Sequence, residues 1–60
     1  MSNFALLIED QNGFLWEDPR VFDAFADAKD EAKLRVRRGN VPKGYDARIY
    51  RLSFVEEVTK

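Results

Sequence analysis

Histidine and cysteine are both missing from this 60-residue chain, and glycine, proline and methionine number only three, two and one. Without cysteine no disulfide can staple the fold, so a domain this short must hold together on its core alone. The lack also fits a reducing, cytoplasmic setting. Without histidine the commonest general acid–base is gone. Ser2, Ser53 and Thr59 are the remaining nucleophile candidates, and none has a base beside it. Adjacent acids such as Glu17 and Asp18, or Asp30 and Glu31, point to different sides of a strand or helix. A metal would need an all-carboxylate site, and Asp10-Gln11-Asn12-Gly13 is too short for a calcium loop. No phosphate-cradling glycine loop exists. The expectation is a protein that is not an enzyme and has no cofactor or metal. Long hydrophobic runs are absent too. Phe4-Ala5-Leu6-Leu7-Ile8 is the longest, against about 20 residues for a membrane span, and no basic segment precedes it as in a leader peptide. No membrane partner is expected.

What is present describes a folded domain: 45% apolar residues, 35% charged and a net charge of −1. Residues 1–60 make one domain with one small core, since a chain of this size buries only about 60% of its unfolded surface. The near-neutral total conceals a division. From Glu9 to Glu31 eight acids stand against Arg20 and Lys29, and from Lys33 to Tyr45 five bases stand alone. Such polarity steers a charged partner, although part of it complements the dipole of a helix.

Four elements follow from the pattern. Phe4–Ile8 reads as a strand, and Asn12-Gly13 supplies the positive φ angles of a tight hairpin turn. Phe14-Leu15-Trp16 reads as the returning strand, interrupted by Glu17-Asp18-Pro19 and resuming at Arg20-Val21-Phe22. A helix opens at Asp23 or Ala24, with Asp23 as its N-cap, and runs through Arg38 to a stop at Gly39-Asn40. Phe25, Ala28, Ala32 and Val36 form its apolar stripe, and Leu34 falls opposite, among charges. Val41-Pro42-Lys43-Gly44 is a turn, with Pro42 at the first corner and Gly44 at the positive-φ corner. A final strand, Tyr45 to about Val55, turns Tyr45, Ala47 and Ile49 toward the helix, because the other choice places Asp46 and Arg48 in the core. The tail from Glu56 to Lys60 is expected to fray.

The fold class is therefore α+β, in ββαβ order: a three-stranded antiparallel sheet with one helix across one face. A single helix leaves the other face open. That face is expected to carry some of Leu7, Leu15 or Trp16, with Arg48, Tyr50 and Leu52. Such aromatic and arginine surface suits a protein interface. The partner-binding candidates are Trp16, Arg48, Tyr50 and Arg51, with Asp27, Asp30, Arg35, Arg37 and Arg38 as secondary electrostatic contacts. Two other outcomes are a monomer whose face is covered by its own tail and a weak homodimer through that face or an edge strand. A nucleic-acid-binding module, using the basic 33–43 region and the open sheet, is the rival from another class, opposed by the acidic first half.

One stretch carries a family likeness. Val41-Pro42-Lys43-Gly44-Tyr45-Asp46-Ala47-Arg48-Ile49-Tyr50-Arg51 resembles the corresponding segment of the T7-type family of small phage inhibitors of bacterial RNA polymerase. That family has a Val-Pro-x-Gly-aromatic-acid run followed by an arginine-bearing strand. The order before it, a hairpin and then an acidic, Ala-rich helix, is similar as well. The resemblance implies a non-enzymatic inhibitor of a bacterial host protein, RNA polymerase first, that binds the enzyme's jaw through strand arginines and a second, acidic strip. Arg51 falls on a family arginine. The other family arginine falls on Ile49, one step from Arg48, and one step in a strand reverses direction. Another host or defence protein is the alternative target.

Overall fold

The computed structural model describes residues 3–53; the last strand ends at Arg51, short of the expected Val55, and the tail expected to fray or to cover the sheet lies outside the described residues. Strand β1 spans Phe4–Asp10, β2 Arg20–Phe22, helix α1 Phe25–Arg37 and β3 Tyr45–Arg51. The sheet order is β2-β1-β3, antiparallel throughout, which is the expected ββαβ arrangement. Strand β1 lies in the middle. It pairs along its whole length with β3, from Phe4–Arg51 to Asp10–Tyr45, and only over Phe4–Leu6 with β2. Since β2 and β3 both oppose β1, they run parallel to each other, and α1 is the crossover that carries the chain from one edge to the other.

The first hairpin is looser than expected. Asp10 and Phe14 close a three-residue loop (Asp10 N to Phe14 O, 3.0 Å), and Gly13 alone is left-handed, at φ 83°. Asn12 keeps a negative φ, because a three-residue loop needs only one left-handed residue after its turn. Asp10 Oδ1 accepts from the Asn12 and Phe14 amides, each at 2.9 Å, fixing the loop from its base. The returning strand expected over Phe14–Trp16 reduces to a single bridge, Glu9 with Leu15. Pairing resumes at Arg20–Leu6 two residues out of step. Pro19, which has no N–H, and the residues before it bulge away from β1, so the regular strand is confined to Arg20–Phe22.

The helix starts one residue later than the sequence suggests. Its N-cap is Ala24, with no side-chain cap hydrogen bond, and Asp23 lies just outside. There the Asp23 carbonyl accepts from Asn3 Nδ2 at 3.1 Å, tying the helix start to the head of β1. The far end follows the expected stop. Arg38 is the C-cap, Gly39 takes φ 72°, and the Gly39 and Asn40 amides donate to Val36 and Arg35 carbonyls at 3.1 and 2.9 Å. That doubled closure is the Schellman arrangement, open to Gly39 because it has no Cβ. In the next turn Tyr45 N bonds Pro42 O at 3.0 Å, so Lys43 and Gly44 (φ 89°) are its corners and Pro42 precedes them.

The core is thin. Ala5, Leu6, Ile8 and Ala28 are its buried apolar residues, and no large side chain is wholly enclosed. Phe4, Leu6 and Ile8 share the helix side of the sheet with Phe22, Tyr45, Ala47 and Ile49, as their register requires. The orientation expected for the last strand is therefore found. The helix stripe is turned from its expected centre. Ala28 is completely buried, but Phe25 and Val36 stand about half open on the flank toward β3, where Phe25 meets Phe4 (ring centroids 5.7 Å apart). At about 100° per residue, the inward face centres on Ala28 and includes Glu31, Ala32 and Arg35. Leu34, expected on the outer face, is half-buried beside Arg20 and Arg38. The rotation arises because the β2 side of the sheet is short, and long side chains from the helix fill the space there.

Ala28 sets how closely helix and sheet approach. Ala28→Leu should lower unfolding stability by about 1–3 kcal/mol through overpacking, read as a lower urea midpoint at unchanged slope.

Candidate surface site on the open sheet face

Alternation along β1 places Ala5, Leu7 and Glu9 on the face without a helix, opposite Tyr50, Arg48 and Asp46 of β3. Val21 of β2 lies across from Ala5, and the bridge to Glu9 sets Leu15 on the same side. Glu9 is only 6% exposed, the one buried charged residue among those described. A buried carboxylate requires partners, and it has two. Tyr50 donates its hydroxyl proton to Glu9 Oε1, and Arg48 Nη1 lies 3.4 Å from the same oxygen. Arg48 also reaches the Asp10 carbonyl at 3.5 Å and Asp46 Oδ2 at 3.3 Å.

Register explains how Tyr50 arrives there. It stands opposite Ala5, two same-face positions from Glu9, so its ring must lie lengthwise over the intervening Leu7–Arg48 pair. Two consequences follow. Leu7 and Ala5 are covered by β3's own side chains, which is less open apolar surface than the alternation pattern implies. And Arg48 and Tyr50 are held in place by Glu9 instead of moving freely. The Glu9 hydrogen bond is the main cause that raises the Tyr50 pKa above its ordinary value, with burial and the Glu9 charge acting the same way and Arg48 acting against them.

The other partner-binding candidates lie elsewhere. Trp16 was expected beside Arg48 and Tyr50. Instead it is on the helix side, edge-on to Tyr45 at 5.5 Å, in a shallow hollow with Glu17, Arg35, Gly39, Asn40 and Pro42. Alternation is responsible, because Leu15 is bridged to Glu9 on the open face and Trp16, one step on, turns to the helix side. It remains 56% exposed. Arg51 also points to the helix side, its guanidinium 5.9 Å from the Phe4 ring centre at the other end of β3. Of the four, then, only Arg48 and Tyr50 share a surface.

The secondary contacts divide similarly. Asp27, Asp30, Arg37 and Arg38 are exposed on the outer side of α1. Arg35 is turned inward, paired with Glu17 and, at 3.3 Å, with Glu31, which also holds Arg20 at 3.5 Å. It clamps the helix to the bulged segment and is withdrawn from the basic surface. The Glu31–Arg35 spacing of four residues was visible in the sequence. Glu17 as a partner was not, because the bulge brings it there. Glu9, the organising residue of the open face, was missed. Its only signal is its place in line with Ala5 and Leu7 on a strand that both neighbours flank.

Among the described residues no helix is long and apolar enough to cross a membrane. Comparison with family models, with curated proteins and with solved structures finds no match to this chain.

Two measurements check the site. Followed by ultraviolet absorbance in a Tyr45→Phe background, Tyr50 should ionise above the ordinary tyrosine value of about 10, and Glu9→Gln should bring it down. A raised folded-state pKa adds stability that is complete below the unfolded value and is lost as pH rises through the folded one, so the stability from the Glu9–Tyr50 bond should be lost only above about pH 10. Arg35→Ala removes the clamp and leaves Glu17 and Glu31 without it; an urea titration should show a loss of about 1–2 kcal/mol.

Proposed function

We propose that this protein is a small, phage-type, non-enzymatic inhibitor that binds a bacterial host protein, with RNA polymerase as the leading target. Two things support the reading. One is the likeness of residues 41–51 to the T7-type inhibitors, which brings the polymerase and a strand-borne arginine site. The other, and the observation that carries the binding part, is the Glu9-anchored pair on β3: an arginine and a tyrosine, half exposed and fixed before any partner arrives. Arginine and tyrosine are over-represented among residues that dominate binding energy, and groups already held in place lose little freedom on docking. Exposed Leu15, Val21 and Leu52 supply apolar surface near them. Contact with the target through β3 would leave Asp27 and Asp30 free for a second, acidic contact.

The reading of the chain as a nucleic-acid module gains less. With Arg35 paired internally, the basic 33–43 region keeps Lys33, Arg37, Arg38 and Lys43, beside a sheet face whose centre is the buried Glu9 carboxylate. Negative charge there opposes a phosphate backbone.

Binding of the purified protein to purified bacterial RNA polymerase, measured together with promoter-dependent transcription, tests the proposal. Tight binding and loss of transcription are expected. Tyr50→Ala should weaken binding on the order of 30-fold, and Arg48→Ala comparably, with the fold intact by circular dichroism. If Arg51→Ala weakens binding and the other two do not, the helix side of β3 is the contact surface and the open face is not. Absence of binding to the polymerase removes the target.

A further inference from the structure

The outer edge of β3 has no partner among the described residues, and its chemistry is self-complementary. Leu52 N donates to Asn3 O at 2.8 Å, so in the antiparallel ladder the backbone groups of Leu52, Tyr50, Arg48 and Asp46 point inward to β1. Those of Ala47, Ile49 and Arg51 point outward. Edge strands in small proteins are commonly blunted by proline, a bulge, a very short length or charged side chains. Strand β3 has none of the first three, being seven residues long without proline or glycine, and its charges Asp46 and Arg48 are of opposite sign.

We propose that a second copy of the chain is the occupant of this edge, in an antiparallel pairing of β3 with β3 centred on Ala47. The outward backbone groups restrict a two-fold pairing to a few registers, and charge selects among them. Centring on Asp46 or on Arg48 sets each against its own copy, and like charges directly opposite are unfavourable. Centring on Ile49 sets Asp46 against Leu52 and leaves both charges unmatched. Centring on Ala47 sets Asp46 against Arg48 of the second copy, twice, with Tyr45 against Ile49. The Asp46–Arg48 pairs then fall at non-hydrogen-bonded positions, where side chains approach most closely.

The helix agrees with this choice. The two-fold axis runs perpendicular to the sheet, so both helices lie on one side. At a strand spacing of about 4.8 Å the two β1 strands are about 14 Å apart, enough room for helices side by side. Val36, 60% exposed, and Ala32 border a hollow at Ala47 itself, and Phe25, 49% exposed, lies further along the same flank. Lys33 and Arg37 line the hollow too, with stems that cover apolar surface while their charges stay in water. The large apolar residues that the helix leaves uncovered thus face the joint. The result is a continuous six-stranded sheet with a single outer edge type, that of β2.

Sedimentation equilibrium of the full chain across a range of concentrations should show a reversible dimer. Ala47→Pro should abolish it, since the lost N–H points away from β1 and the monomer ladder is untouched. The chain has no cysteine, so introduced thiols report the register cleanly. Under mild oxidation, Asp46→Cys mixed with Arg48→Cys should give a cross-linked pair, while either alone stays uncrosslinked, its like positions being more than 7 Å apart. A chain that remains monomeric up to about 1 mM, a dissociation free energy of only about 4 kcal/mol, would overturn the proposal. So would a dimer in which Arg48→Cys cross-links to itself, or one that forms without any cross-link between the mixed variants. The cross-linking arm decides the matter even if Ala47→Pro fails to fold. Sedimentation and cross-linking are read on the purified chain alone, so their outcome is independent of whether the chain inhibits a polymerase.

Discussion

Everything in this fold hangs on β1 being the middle strand. A sheet of order β2-β1-β3 with one crossover helix gives β1 two neighbours and two faces, one beneath the helix and one without a second layer among the described residues. Its helix-side residues Leu6 and Ile8 are core in the ordinary sense. On its other face the cover among the described residues comes from β3, whose Tyr50 and Arg48 side chains reach across to Glu9. Glu9 is the point of control there. A carboxylate taken out of water must be matched, and matching it fixes Tyr50 and Arg48 on the surface.

Position within the sheet thus turns a folding requirement into a surface with defined chemistry. The same network also limits that surface, because the arginine and tyrosine cover what would otherwise be open aliphatic plane. An interface formed here would add to an arrangement already in place and would not recruit free side chains. The helix side follows a similar rule. With a core of alanine, leucine and isoleucine, close approach at Ala28 brings the layers together, and larger groups are displaced to the flanks: Phe25 and Val36 toward β3, Arg35 and Leu34 toward the bulge. What is left uncovered beside β3 lies next to the strand edge that is itself unpaired.

Much of this was legible in the residues. The order of elements, the helix stop at Gly39-Asn40 and the inward face of β3 depend on alternation and on glycines near their own sites, which are local signals. Departures occur where local preference competes with something further along the chain. Asn12-Gly13 suits a two-residue turn, but Asp10 accepts two amides and sets a three-residue loop. Asp23 is a good cap residue, but the helix begins after Ala24 and the Asp23 carbonyl is held by Asn3. Trp16 stands on the helix side because its neighbour Leu15 is bridged to Glu9 on the open face, a register that only the pairing supplies.

By itself the sequence determined the fold class and the identity of the half-open sheet, because periodicity and turn chemistry act over a few residues and survive any packing. It also determined that Arg48 and Arg51 cannot share a face, since strand geometry alternates. Tertiary structure alone decided that Glu9 is buried, that Arg35 is spent on Glu17 and Glu31, and that Trp16 is separated from Tyr50. Each of those depends on distant segments meeting in one register, and a register joining residue 9 to residue 46 leaves no mark on either alone.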